Sequence, residues 1–296
     1  MEVRVRINHN ISAMVSHTAV SQSTLALNKS LERLASGYRI NRAADDAAGL
    51  AVSEQLRTQI RGLAKAKRNA EDGIALLQIS EGAANEISSL LQRMRELAIQ
   101  SANDTLTSVE RGYSDTEFSA LMSEIQRISS ATQYNGVTLL DGASTSFGTS
   151  GGSSSVLHIG ANNNNGSVSG SIDTLTVTID SVTLGALGLS LNASTGTNIT
   201  NQANAFSAIT SIDTAILSVN TMRANIGAVV NRLESAINNL SNQEYNMQAA
   251  ESLIRDADFA YETTQFTRAQ IMVQTGMAMV AQANTLPQNV LKLVQY

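Results

Sequence analysis

From Ile209 to Met247 the apolar residues recur in alternating steps of three and four: Ile209, Ile212, Ile216, Val219, Ile226, Val230, Leu233, Ile237, Leu240 and Met247, interrupted only by Arg223 and Glu244. Such steps put side chains on one face of an α-helix, and about five heptads of them call for a second helix to lie against. A chain with this stripe is committed to helix-on-helix packing, because most helical stability comes from burying the apolar face. Composition agrees: Pro287 is the single proline, and proline is the strongest helix breaker.

Three other segments carry helical patterns. Between Asp45 and Asp104, Leu56, Ile60, Leu63, Ala70, Ile74, Leu77, Ala84 and Leu91 keep the same spacing, with Lys67, Glu81 and Ser88 as polar interruptions. Asp45 or Asp46 stands where an N-cap carboxylate accepts free backbone N–H groups. A helix of that length spans on the order of 80 Å. A shorter helix is expected over Val109–Ser130, with Phe118, Leu121, Ile125 and Ile128 on one face. Near the end, Phe259, Phe266, Val273, Val280, Pro287 and Val294 fall seven apart, after a break in "ESLIRDADF". Met277 and Leu291, with the small Ala269, Gly276 and Ala283, fill the same face or its shoulder. A weaker stripe at the start runs through Ile7, Ile11, Met14, Leu25, Leu31 and Leu34 to a helix stop around Gly37.

The middle is different in kind. No Lys or Arg occurs between Arg127 and Arg223. That gap holds "GASTSFGTSGGSSSVLHIGANNNNGSVSGS", whose Gly, Ser and Asn read as loops and turns. Two fragments in it, "SVLHIG" and "DTLTVTIDSVTL", alternate as strands do. A small β-hairpin region is therefore expected at about 138–200.

The residues point away from catalysis and cofactors. Charged residues are 15% and the net charge is −5, which gives no basic stripe for nucleic acid. There is no cysteine, hence no thiolate nucleophile or disulfide. His9, His17 and His158 are scattered, and Asp45–Asp46 lacks a nearby third ligand, so the pair reads as a helix cap rather than a metal site. "GTSGGSSS" lacks the Lys of a phosphate loop and reads as a flexible polar turn. The start, "MEVRVRINHNISAM", has no apolar run of the signal-peptide kind, and no stretch approaches the roughly 18–20 apolar residues of a membrane span, so neither signal-peptide export nor membrane insertion is expected.

The order is then terminal helix, long helix, β middle, long helix, terminal helix. The expected fold is mainly α: a long antiparallel helical rod, or coiled coil, built from both chain ends, with small β-hairpins in the middle. Residues 1–47 with 254–296 are expected to form a terminal coiled-coil domain, and 48–253 a helical bundle carrying the hairpins. Two paired terminal helices still leave a large apolar surface, which copies of the same chain would cover.

Specific stretches resemble bacterial flagellin: "LASGYRINRAADDAAGLAVSEQLRTQIRGL", "NAEDGIALLQISEGAANEISSLLQRMRELAIQSAN", "ATQYNGVTLLDG" and "SLIRDADFAYETTQFTRAQIMVQTGMAMVAQANTLPQNVLKLVQY". The resemblance covers about Ile7–Gly142 and Ile209–Gln295 and implies a short form without large outer domains. The six residues before Ile7 are more than the family usually has there. The resemblance implies a subunit of the extracellular flagellar filament that serves motility and is no enzyme. It implies type III export in unfolded form, assembly at the distal tip, and dealings with an export chaperone, cap and junction proteins. It also implies a terminal-helix assembly stripe on Ile7, Ile11, Met14, Leu31, Leu34, Phe259, Phe266, Val273, Met277, Val280, Leu291 and Val294. Arg93, Leu97 and Glu117 match the family's positions for packing between protofilaments and for contact with the animal Toll-like receptor for flagellin. A hook–filament junction protein, which shares the terminal helices, is the rival reading.

Overall fold

The computed structural model describes residues 9–142, 155–162, 173–190 and 197–294, with side chains at all of these except Ser155 and residues 286–294. Ile7 and the side chains of Leu291 and Val294 lie outside the described residues, as does most of the Gly/Ser/Asn-rich stretch.

Among the described residues five helices and four short strands follow in the order α1 (Ile11–Ser36), α2 (Ala47–Ala102), α3 (Ser108–Ala131), β1 (Gln133–Tyr134), β2 (Val137–Thr138), β3 (Ser155–His158), β4 (Thr174–Val177), α4 (Gln202–Arg255) and α5 (Phe259–Val294). Local chemistry sets the breaks. The Asn10 side chain accepts the Ala13 N–H at 3.1 Å to start α1. Gly37 ends it with φ +75°, donating its N–H to the Arg33 carbonyl at 2.8 Å. Asp46, not Asp45, caps α2, its Oδ1 accepting the Gly49 N–H at 2.9 Å. A reciprocal capping box between Thr107 and Glu110 opens α3. The α2–α3 corner is closed by Arg111, whose guanidinium donates to the Ser101 and Asn103 carbonyls, both at 2.9 Å.

The chain forms two compact units: residues 1–58 with 246–296, and residues 59–245. In the second, α2 and α4 run antiparallel. Arg95 meets Asp213 at 2.6 Å, while a Cβ on Gly73 would stand 3.6 Å from Leu233. The buried seam of α4 is Ala205, Ala208, Ile212, Ala215, Val219, Met222, Ile226, Leu233 and Leu240. The expected stripe is thus half right. Its Ile212–Leu240 row is the core, but Ile209, Ile216, Val230 and Ile237 pack only at the margin, and Ala and Met take the complementary row. Small residues win there because they let the helix backbones approach. α2 shows the same: Leu63, Ala70, Leu77, Ala84 and Leu91 are buried, and the second buried row is Ala66, Gly73, Ser80, Ile87 and Met94. Lys67 and Glu81 interrupt a row that lies beside the seam rather than in it. α3 adds Phe118, Met122 and Ile125 to this core.

The hairpins are small. Asn135 and Gly136 turn β1 into β2 with φ of +51° and +79°, the left-handed pair that a two-residue hairpin loop favours. β3 pairs antiparallel with β4, and Leu157 of β3 sits so close to Gly73 of α2 that a Cβ there would stand 2.6 Å from it. Asn69 of α2 donates to the His158 carbonyl at 3.0 Å. The alternating pattern that extends to Leu184 pairs only as far as Val177. Val182, Leu184, Leu187 and Leu189 turn inward as core residues, with the Val182 N–H bound to the Leu140 carbonyl at 3.0 Å.

Candidate assembly interface

In the first unit α1 and α5 lie side by side, antiparallel. Asn10 donates to the Ala283 carbonyl at 2.9 Å near one end, and Arg33 to Glu262 at 2.7 Å near the other. A Cβ on Gly276 would meet Val20 Cγ2 at 2.5 Å, so this glycine is what permits the close approach midway. The sheltered side of α5 carries Glu262, Phe266, Ala269, Val273, Gly276, Val280 and Ala283, alternating four and three apart. Leu27, Ser30 and Leu34 are the corresponding sheltered residues on α1. Glu262 is only 3% exposed, and Arg33 is its counter-ion. The hydrogen bond to a charged partner offsets the cost of taking the carboxylate out of water.

The terminal stripe divides into two sets. Leu34, Phe266, Val273 and Val280 are half-buried in the pair. Ile11, Met14, Leu31, Phe259 and Met277 face outward, each more than half exposed, together with Val15, Leu25, Tyr261, Ile271, Met272 and Met279. One helix-to-helix contact covers only part of a broad apolar face. The small residues of α5 take the contact line, which leaves the larger side chains on the flanks.

The two chain breaks of this unit are stitched together. Tyr38 and Asp256 form an antiparallel bridge, the Arg39 N–H donates to the Arg255 carbonyl at 2.7 Å, and the Ala257 N–H donates to the Gly37 carbonyl at 2.9 Å. The Arg255 guanidinium lies 4.8 Å over the Tyr38 ring and pairs with Glu54 at 2.8 Å, which lowers the Glu54 pKa. Lys29 pairs with Asp45 at 2.8 Å, and the Asn41 and Arg42 N–H groups point at the same carboxylate. Its pKa falls from the ordinary 3.8 to about 2, mainly through the Lys29 hydrogen bond.

In the second unit Arg93 binds Glu117 of α3 at 2.8 Å and Glu96 at 3.1 Å, and these partners raise its pKa, Glu117 first. Arg93 and Glu117 are half exposed, whereas Leu97, one turn along α2, is 3% exposed and belongs to the core. Among the described residues no group of three His, Cys, Asp or Glu could hold a metal ion, and no described helix is long and apolar enough to cross a membrane. Several features escaped the sequence reading, among them the Arg33–Glu262 pair and the Arg111 corner. The first left a signal: Glu262 stands seven before Ala269, in phase with the seam, where a charge needs a partner.

The sequence pattern of the bacterial flagellin N-terminal helical region matches residues 7–145, and that of the C-terminal helical region matches residues 209–294. The chain belongs to the flagellin family. A flagellin of Halalkalibacterium halodurans is 46% identical over 289 residues, covering 98% of this chain and 99% of that relative. The flagellin of Bacillus subtilis is 42% identical over 314 residues, with 98% and 100% covered. A solved structure of a putative flagellar hook-associated protein from Vibrio parahaemolyticus shares the fold, with TM-score 0.56 at 18% identity, over 71% of this chain and 99% of that one. As a flagellin the chain is a structural, non-catalytic subunit of the extracellular flagellar filament, and copies of itself are its polymer partners.

Proposed function

We propose that the filament is held by the outward side chains of the α1–α5 pair, and that this pair becomes fully ordered only as it meets neighbouring subunits. The observation that carries this reading is the row of large apolar residues left exposed on both helices, from Ile11 and Met14 to Met272, Met277 and Met279. Ordering each residue costs about 1–2 kcal/mol of backbone entropy. Burial returns ~25 cal/mol per Å² of apolar surface, and one helix neighbour supplies only part of it. Contact with sister chains supplies the rest, so folding of the arms and assembly are coupled. Ile7, Leu291 and Val294 extend the same stripe in sequence. The loose arms suit export in unfolded form through the flagellum's type III route, with an export chaperone beforehand and cap and junction proteins at the growing tip. The domain division proposed for assembly is the terminal coiled coil, 1–47 with 254–296, and the bundle 48–253.

A second surface is proposed around the exposed Arg93–Glu117 pair, facing the neighbouring protofilament in the polymer and the Toll-like receptor for flagellin in the free chain. Leu97 supports this surface from below. The test pairs electron microscopy of the chain after salt-induced polymerisation with a receptor signalling assay. The native chain should form fibres and signal as a monomer, and the Arg93→Ala/Glu117→Ala variant should fold but lose most signalling. Absence of fibres from native protein defeats the first proposal; undiminished signalling by the variant defeats the second.

A further inference from the structure

We propose that Met14, Met272, Met277 and Met279 are an oxidation site for small peroxides, and that their sulfoxides block assembly while leaving the second unit folded. This rests on the reading that the arms assemble the filament. The chain has nine methionines and no cysteine, so its thioethers are its only sulfur groups open to a two-electron oxidant. They fall into separate classes. The four named are 53–65% exposed, whereas Met94, Met122 and Met222 in the second unit are 0–2% exposed; Met247 is half-buried. All four lie on α1 or α5, and Met272 and Met279 stand seven apart, on one outer row of α5.

The chemistry is balanced with hydrogen peroxide as the oxidant. The sulfur lone pair attacks one peroxide oxygen, an S–O bond forms and the O–O bond breaks. The proton on the transferred oxygen passes to the departing one, which leaves as water. Sulfur loses two electrons and the peroxide gains them. A flexible apolar side chain thereby becomes a polar hydrogen-bond acceptor. On the outer face of the free arm the sulfoxide stays hydrated and costs little. In an apolar contact with a sister chain it must give up that water without a donor to replace it. Oxidation therefore acts on assembly more than on the fold of the lone chain, and a finished fibre shields the same sulfurs.

The experiment treats dilute native chain with hydrogen peroxide, maps the oxidised peptides by mass, and then measures the critical concentration for fibre growth. Oxygen should appear on the four exposed methionines well before Met94, Met122 or Met222, with the thermal unfolding of the second unit unchanged. The critical concentration should rise at least about tenfold, and methionine sulfoxide reductases should restore it. Preformed fibres should oxidise more slowly at the four positions. A variant with all four replaced by Leu, a swap of similar volume, should show the same critical concentration before and after peroxide, whatever its untreated value; Met272→Leu/Met279→Leu, which keeps two of the four thioethers, should show a smaller rise than the native chain. Equal oxidation of buried and exposed methionines would overturn the proposal. So would unchanged fibre growth by oxidised native chain, or equal loss of assembly by the Leu variants on treatment. Should untreated native chain form no fibres, the filament reading falls instead, and the peptide map still decides where oxygen is added.

Discussion

At the scale of single residues, the adjacent carboxylates Asp45 and Asp46 show how position divides labour. Asp46 caps α2 through the Gly49 N–H, while Asp45 faces back to hold Lys29 and the Asn41 and Arg42 N–H groups. The sequence allows either to cap, because both sit within reach of a helix start; only the turn through residues 41–46 decides. Since the folded-state pKa of Asp45 is depressed to about 2 from 3.8, its contribution to stability is complete above the ordinary value and fades as pH falls from 3.8 toward 2. Asp45→Asn should therefore lower the stability of the first unit at neutral pH, and the gap to the native chain should close over that acid window. Thermal unfolding of assembled protein at several pH values would check this, and a gap unchanged at pH 2 would contradict it.

At the scale of elements, the helices were legible and their phase was not. α2 and α3 fall within a few residues of where periodicity puts them, whereas α4 runs past both ends of its Ile209–Met247 stripe, from Gln202 to Arg255. The seams, however, are built from one row of large aliphatics and one row rich in Ala, Gly, Ser and Met, and small residues carry little weight when apolar spacing is read alone. Gly73 is the clearest case: within α2 it looks like a weak point, yet it is the seat for Leu157 of β3. Gly82 of the same helix has nothing near its missing Cβ. Replacing a mid-helix glycine by alanine ordinarily stabilises by about 1 kcal/mol. Gly82→Ala should show that gain in urea unfolding. Gly73→Ala should instead be neutral or lose about 1 kcal/mol as Leu157 is displaced. Equal gains at both positions would mean that the hairpin does not rest on α2.

At the scale of the whole molecule, the two units ask different things of the chain. The second, residues 59–245, owns a continuous buried core from α2, α3, α4 and the hairpins. A chain ended after Gln265 keeps all of that core and loses most of α5. It should stay soluble and melt cooperatively, yet yield no fibres under conditions that polymerise the full chain; fibres in light scattering or electron microscopy would count against the arms as the assembly element. The broad plan was readable because long repeats average out local ambiguity, whereas the division of the terminal stripe into inner and outer sets depends on which row the partner helix takes.

The hydrogen bond from Asn10 to the Ala283 carbonyl joins positions 273 residues apart. A ribosome has finished nearly everything else before that closure can happen, since loops of such length close only once both ends exist. Premature stops and broken messages thus yield chains unable to make the clasp, however well their middle portion folds.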